Sequence, residues 1–197
     1  MPQHIPSEAR IKKRLTNKAL HYLGRYASTT ARLRQVLQKF ATRKLEGAAK
    51  GDISAAIEAI ITECQKFGYI DDQNFIQTRI RAGRNAGRSE RQILDKLRQA
   101  GIDRDSAVAS LNAHREDNSD AEKLAALIHI RKKRLGCYSK EQDNAANHRQ
   151  KQMAKLARAG FRLDIINFVL AMESPEAAEE MEAEFHQKLP CGSTRPA

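Results

Sequence analysis

Apolar residues return along this chain at three- and four-residue spacing, and short polar breaks separate the runs. Leu15, Ala19, Leu20, Tyr22 and Leu23 form one stripe, Leu33, Val36, Leu37 and Phe40 a second, and Ile57, Ile60, Ile61 and Cys64 a third. That spacing gathers side chains on one face of a helix. No run alternates apolar with polar residues as a half-buried strand requires. The pattern therefore predicts an all-α protein. Its first helix is expected from about Leu15 to Tyr26, its second after the hydroxyl-rich stretch Ala27 to Thr30, and its third from about Ile53 to Phe67.

The joint that follows organises the rest. In Gly68-Tyr69-Ile70-Asp71-Asp72-Gln73-Asn74-Phe75, glycine ends one helix and an acidic pair starts the next. Gly68 can adopt positive φ at little steric cost. Tyr69 and Ile70 are expected to plug back onto the flanking helices. Asp71 or Asp72 can accept from the free amides of the new helix, whose positive end suits a carboxylate. Phe75, Ile76 and Ile80 then open the next buried stripe.

The same helical phrase returns. Leu33 and Leu37 reappear as Ile93 and Leu97, 60 residues on, with Ser89 placed as a helix N-cap. Leu97-x-x-x-Gly101-Ile102 reappears as Leu156-x-x-x-Gly160-Phe161, 59 residues on. Such a period marks tandem units that share faces with their neighbours. The expected organisation is a flexible leader over 1–14 and three three-helix, helix-turn-helix-like repeats over 15–70, 71–113 and 118–172, followed by an acidic tail over 173–197 whose Glu176-to-Glu184 run suggests a short amphipathic or frayed helix. An elongated, curved body follows from stacking them, with no demand for a dimer, so a monomer is expected.

Charge adds a partner class. Of the net +11, the first 50 residues hold +10, with 12 Lys and Arg against 2 acids. A field of that sign attracts nucleic acid or an acidic protein surface. The candidate anion-binding residues are Arg32 and Arg34, the group Arg81, Arg84, Arg88 and Arg91, and the run Arg131-Lys132-Lys133-Arg134. Arginine binds phosphate or carboxylate in bidentate fashion. The run also suits the negative end of a helix.

Catalytic signatures fail one by one. There is no phosphate-binding Gly-x-x-x-x-Gly-Lys loop, no His-Glu-x-x-His helix and no Gly-x-Ser-x-Gly elbow. The six histidines lack ligand spacing, although His129 could approach His148 or Cys137 in space. Cys64, Cys137 and Cys191 form no Cys-x-x-Cys pair, which fits a reduced, cytoplasmic setting. No apolar segment approaches the ~20 residues of a membrane span. A non-enzyme without cofactor or metal is expected.

The Gly68-to-Phe75 joint and the Ser89-to-Leu97 helix closing on Gly101-Ile102-Asp103 resemble the RecX family of bacterial recombination regulators. The Leu156-x-x-x-Gly160-Phe161 segment is similar to that family's last repeat, and the likeness covers roughly residues 15–172. The resemblance implies a body of three tandem three-helix repeats that binds the RecA recombinase filament on single-stranded DNA. There it would inhibit ATP hydrolysis, strand exchange and coprotease activity, and so modulate recombination, repair and the SOS response. Gly68, Tyr69, Asp71, Asp72, Phe75, Gly101 and Gly160 would be architectural. The alternative is direct binding of single- or double-stranded DNA through the helix-turn-helix-like units.

Overall fold

A computed structural model describes residues 8–45, 49–117, 120–139 and 145–188. Expectations for residues 1–7 of the leader, for 118–119, for 140–144 of the loop and for 189–197, including Cys191, lie outside the described residues. Among the described residues every regular element is a helix, and none is a strand. In order the helices are α1 (Glu8–Leu23), α2 (Thr30–Lys44), α3 (Lys50–Lys66), α4 (Asp72–Asn85), α5 (Glu90–Gln99), α6 (Arg104–Asp117), α7 (Ala121–Lys133), α8 (Ala145–Arg158), α9 (Leu163–Leu170) and α10 (Pro175–Lys188). A single 3-10 turn over Gly136–Tyr138 follows α7.

The chain divides into two compact units. The first runs to Gln77 and takes in Leu97–Asp103; the second holds Thr78–Lys96 and the described chain from Arg104 onward. The helices expected to form a middle repeat are thus shared out between the two units.

In the first unit α1, α2 and α3 pack on one another around Ile11, Leu15, Leu33, Leu37, Ile57, Ile60 and Ile61. Each such side chain contributes about 1.5–3 kcal/mol on full burial. Ile11 corrects the expected leader. It is 2% exposed, one helical turn before Leu15, and extends α1 back to Glu8. The apolar stripe begins inside the stretch expected to be flexible.

The second unit has its own core. Leu124, Leu127, Ile128 and Ile130 of α7 meet Leu156 of α8 and Ile165, Ile166 and Val169 of α9. Phe161 of this core is buried, as is Ile102 of the first unit, as their places after Gly160 and Gly101 predict. The acidic region after Pro175 forms the amphipathic helix α10. Ala178 and Phe185 of α10 are 1% and 5% exposed, and Phe185 lies 6.2 Å from Phe168 between ring centroids. One face of α10 is core, shared by Ala178, Phe185 and the largely covered Glu182, while Glu176, Glu179, Glu180 and Glu184 are exposed on the remainder.

Candidate binding surface

The acidic joint builds two helix starts rather than one. Asp71 Oδ1 accepts from the Asn74 amide at 2.9 Å, capping α4. Asp72 Oδ1 instead accepts from the Thr30 amide at 2.8 Å, at the first residue of α2. Gly68 ends α3 at φ +71°, and the Tyr69 and Ile70 amides both donate to the Cys64 carbonyl. Ile70 is buried as expected, but Tyr69 is 59% exposed. Fixing the backbone twice onto Cys64 buries one of the two side chains and turns the other outward.

A second device appears once in each unit. Thr29 is the N-cap of α2, accepting from the Arg32 amide at 3.1 Å. Its hydroxyl donates to the Ala100 carbonyl at the end of α5, 2.5 Å away. Ser89 repeats this at α5: it accepts from Gln92 at 3.3 Å and donates to Ala159, at the end of α8, at 2.6 Å. One hydroxyl therefore satisfies a free amide of one helix and a free carbonyl of another, and joins a positive helix end to a negative one. The glycine after each carbonyl makes the approach possible. A Cβ on Gly101 (φ +80°) would stand 2.6 Å from the Ala31 Cβ, and one on Gly160 (φ +90°) 2.8 Å from the Ser89 hydroxyl. The 59- and 60-residue offsets in the sequence mark this junction.

The basic residues divide by partner. In the first unit Arg32 is exposed. Arg34 forms a bidentate pair with Glu58 at 2.6 and 2.8 Å, which keeps the Glu58 carboxyl below the usual carboxylate range and the guanidinium above its own.

In the second unit Arg81, Arg88 and Arg91 are exposed. Arg84 is nearly covered and stands 3.6 Å from Glu90, so it braces the α4–α5 turn rather than presenting itself. That turn meets the end of α7. Lys132 Nζ donates to the Ala86 carbonyl at 3.3 Å, and His129 Nδ1 lies 2.9 Å from the Gly87 carbonyl. A carbonyl only accepts, so Nδ1 carries the proton. Burial pushes the His129 pKa down, against the Gly87 bond that raises it, and Lys133 lowers it further.

Arg131 is spoken for by Glu182 of α10, at 3.1 and 2.8 Å. Lys133 and Arg134 are exposed. The structure thus brings Arg88 and Lys132 to adjoining elements of the second unit and gives Arg34, Arg84 and Arg131 carboxylate neighbours.

This surface can attract anions and carries no acid–base pair. His129 packs edge-on to Phe161 at 5.2 Å, while His148 contacts Gln152. Burial raises the pKa of both Cys64 and Cys137, which keeps them thiols rather than nucleophilic thiolates. Among the described residues no group of three His, Cys, Asp or Glu could hold a metal ion, and no helix is long and apolar enough to cross a membrane.

What sequence patterning missed is apolar. Leu20, expected on a buried stripe, is 47% exposed, and Phe67, at the end of α3, is 67% exposed. Two aromatics flanking a helix-ending glycine were the available signal.

Known proteins resemble this chain over most of its length. The sequence is 35% identical over 158 residues to the regulatory protein RecX of Myxococcus xanthus, covering 79% of this chain and 83% of that protein. It is 28% identical over 177 residues to the regulatory protein RecX of Agrobacterium fabrum, covering 90% of this chain and 92% of that one. The crystal structure of RecX from Lactobacillus salivarius superposes with a TM-score of 0.64 at 21% identity, over 82% of this chain and 96% of that one, a likeness of fold. No family model matches the sequence.

Proposed function

The chain belongs to the RecX family of regulatory proteins, and on that premise we propose that it binds the RecA filament on single-stranded DNA and restrains it. The mechanism is steric. A basic helical body lies against the filament, opposes the subunit movements of ATP turnover, and so lowers ATP hydrolysis, strand exchange and coprotease activity. The match to the Myxococcus xanthus protein over most of both chains carries the reading. The exposed arginines Arg81, Arg88 and Arg91 support it, because they offer cations to acidic or phosphate-bearing surfaces without surrendering a structural partner.

Direct duplex reading through the helix-turn-helix-like units is less well supported. Insertion of a recognition helix needs its N-terminal turn free for base edges. Here the starts of α2 and α5 are occupied by Asp72, Ala100 and Ala159.

The test is single-strand-dependent ATP hydrolysis by RecA, titrated with this protein and with an Arg81→Ala, Arg88→Ala, Arg91→Ala variant. Near-stoichiometric inhibition by the parent protein, weakened in the variant at unchanged helicity, is expected. No inhibition, with tight binding to bare duplex that weakens steeply with salt, would overturn it.

A further inference from the structure

The first unit carries a feature that needs neither the filament nor the arginines. Between α1 and α3 lies a groove of about 210 Å³, lined by Ala19, Leu20, Ile60, Cys64, Phe67 and Tyr69. Leu20, Phe67 and Tyr69 are each about half exposed or more. Among the described residues only two other large apolar side chains, Tyr26 and Leu163, are comparably exposed. Packing does not demand this exposure, since Ile70 fills the core position beside the turn. The Tyr69 backbone is nonetheless tied down, its amide 2.9 Å from the Cys64 carbonyl, and its ring lies 6.2 Å from that of Phe67. Aromatics at the lip of an apolar cleft are typical anchors of protein interfaces, because they bury much area for few rotatable bonds.

Size and charge identify the occupant. The volume falls below the ~300–1,000 Å³ of small-molecule sites and suits one or two apolar side chains. A cleft between two helices accepts a third helix laid along it, through anchors at i, i+3 or i+4, and i+7. The helix α1, which supplies one wall through Thr16, Ala19 and Leu20, carries Arg10, Lys12, Lys13, Arg14 and Lys18 against the single acid Glu8, with Arg14 lying over Phe40 of α2. Glu63, the one carboxylate in the lining, is already taken by Lys12 at 2.8 Å. The field of so basic a helix beside an apolar floor is complementary to a helix with an apolar stripe and acidic flanks. Single-stranded nucleic acid fits less well. Stacked bases need open ring faces, and here the rings tilt 41° to one another above an aliphatic floor.

We infer that the groove between α1 and α3 is a docking site for an acidic amphipathic helix of a protein partner. The chain contains no tryptophan, so Tyr69→Trp in the full chain places a single reporter on the groove. The probe is a helical peptide with leucines at the anchor positions and glutamates elsewhere. A saturable blue shift of tryptophan emission is expected. Affinity should fall about tenfold or more when lysines replace the peptide's glutamates, since like charges across an interface repel. Adding Leu20→Glu to the reporter protein should abolish the shift while circular dichroism stays unchanged, because that side chain is already exposed. Equal binding of acidic and basic peptides, no saturable shift with the acidic peptide, or a shift produced instead by oligothymidylate would each overturn the proposal.

Discussion

The Asp72 carboxylate accepts the Thr30 amide proton at 2.8 Å, so the first residue of α4 caps the first turn of α2 across 42 positions of chain. Neighbouring Asp71 caps α4 itself. Two adjacent carboxylates therefore serve two different helices. Asp72→Ala is expected to destabilise the protein by about 1–2 kcal/mol, the upper range for a lost cap, and Asp71→Ala by about 1 kcal/mol. Because the two act on separate helix ends, urea melts of the double variant should show near-additive losses. A loss confined to Asp71→Ala would remove the bond to α2.

The paired hydroxyl junctions make a sharper test. Thr29→Val keeps the shape and deletes both an acceptor and a donor, leaving a buried amide and carbonyl unmatched. The expected loss is about 2–3 kcal/mol, one penalty of roughly 1 kcal/mol or more per orphaned group. Thr29→Ser should retain most of the stability, and Ser89→Ala should mirror Thr29→Val. Gly101→Ala and Gly160→Ala should each lose about 2 kcal/mol or more, since a strained φ and a close contact fall on one atom. Thermal melts that rank Thr29→Ser with Thr29→Val would deny the hydroxyl its double role.

The sequence announced most of the helices and one end of each junction. Thr29, Ser89, Gly101 and Gly160 all stood out through local chemistry, because caps and glycine stops are short-range signals. Their partners did not. Nothing local ties Thr29 to Ala100, or Asp72 to Thr30, since those bonds form only once the helices pack. The start of α1 was legible in principle from Ile11, one turn ahead of Leu15, but a single apolar residue among charges reads as leader. α10 was expected as a short amphipathic or frayed helix, but Ala178 and Phe185 disclose their burial only against α7 and α9. For the basic surface, residue type was legible and availability was not. Arg34, Arg84 and Arg131 look like Arg81 and Arg88 in sequence, and only the positions of Glu58, Glu90 and Glu182 separate them.

His129 links stability to pH. Burial lowers its folded pKa, so the unfolded chain binds the proton more readily. Its contribution is fully present above the unfolded value of about 6.5 and is lost as pH falls through that range. Chemical melts between pH 7.5 and 5 should show stability falling with acid, and His129→Gln should flatten that slope. An unchanged slope in the variant would assign the acid sensitivity elsewhere.

Arg134 ends α7 in the left-handed conformation, with φ 53° and ψ 52°. It is the only non-glycine residue with positive φ among those described. A side chain there costs about 1–2 kcal/mol, and glycine removes the strain while adding freedom to the unfolded chain. Arg134→Gly should therefore stabilise the protein by about 0.5–1 kcal/mol, read as a higher melting temperature. The same variant removes one cation from the exposed end of α7, so its binding behaviour separates charge from fold.

The buried face of α10 gives the C-terminal helix a mechanical standing that its composition conceals. With Phe185 seated beside Phe168 and Glu182 clasping Arg131, the helix cannot peel away without opening the core of its unit. Deuterium should then enter the amides from Ala178 to Phe185 on the slow clock of α7 and α9 rather than the fast clock of a fraying terminus. A protease that trims this end would be cutting into a keystone.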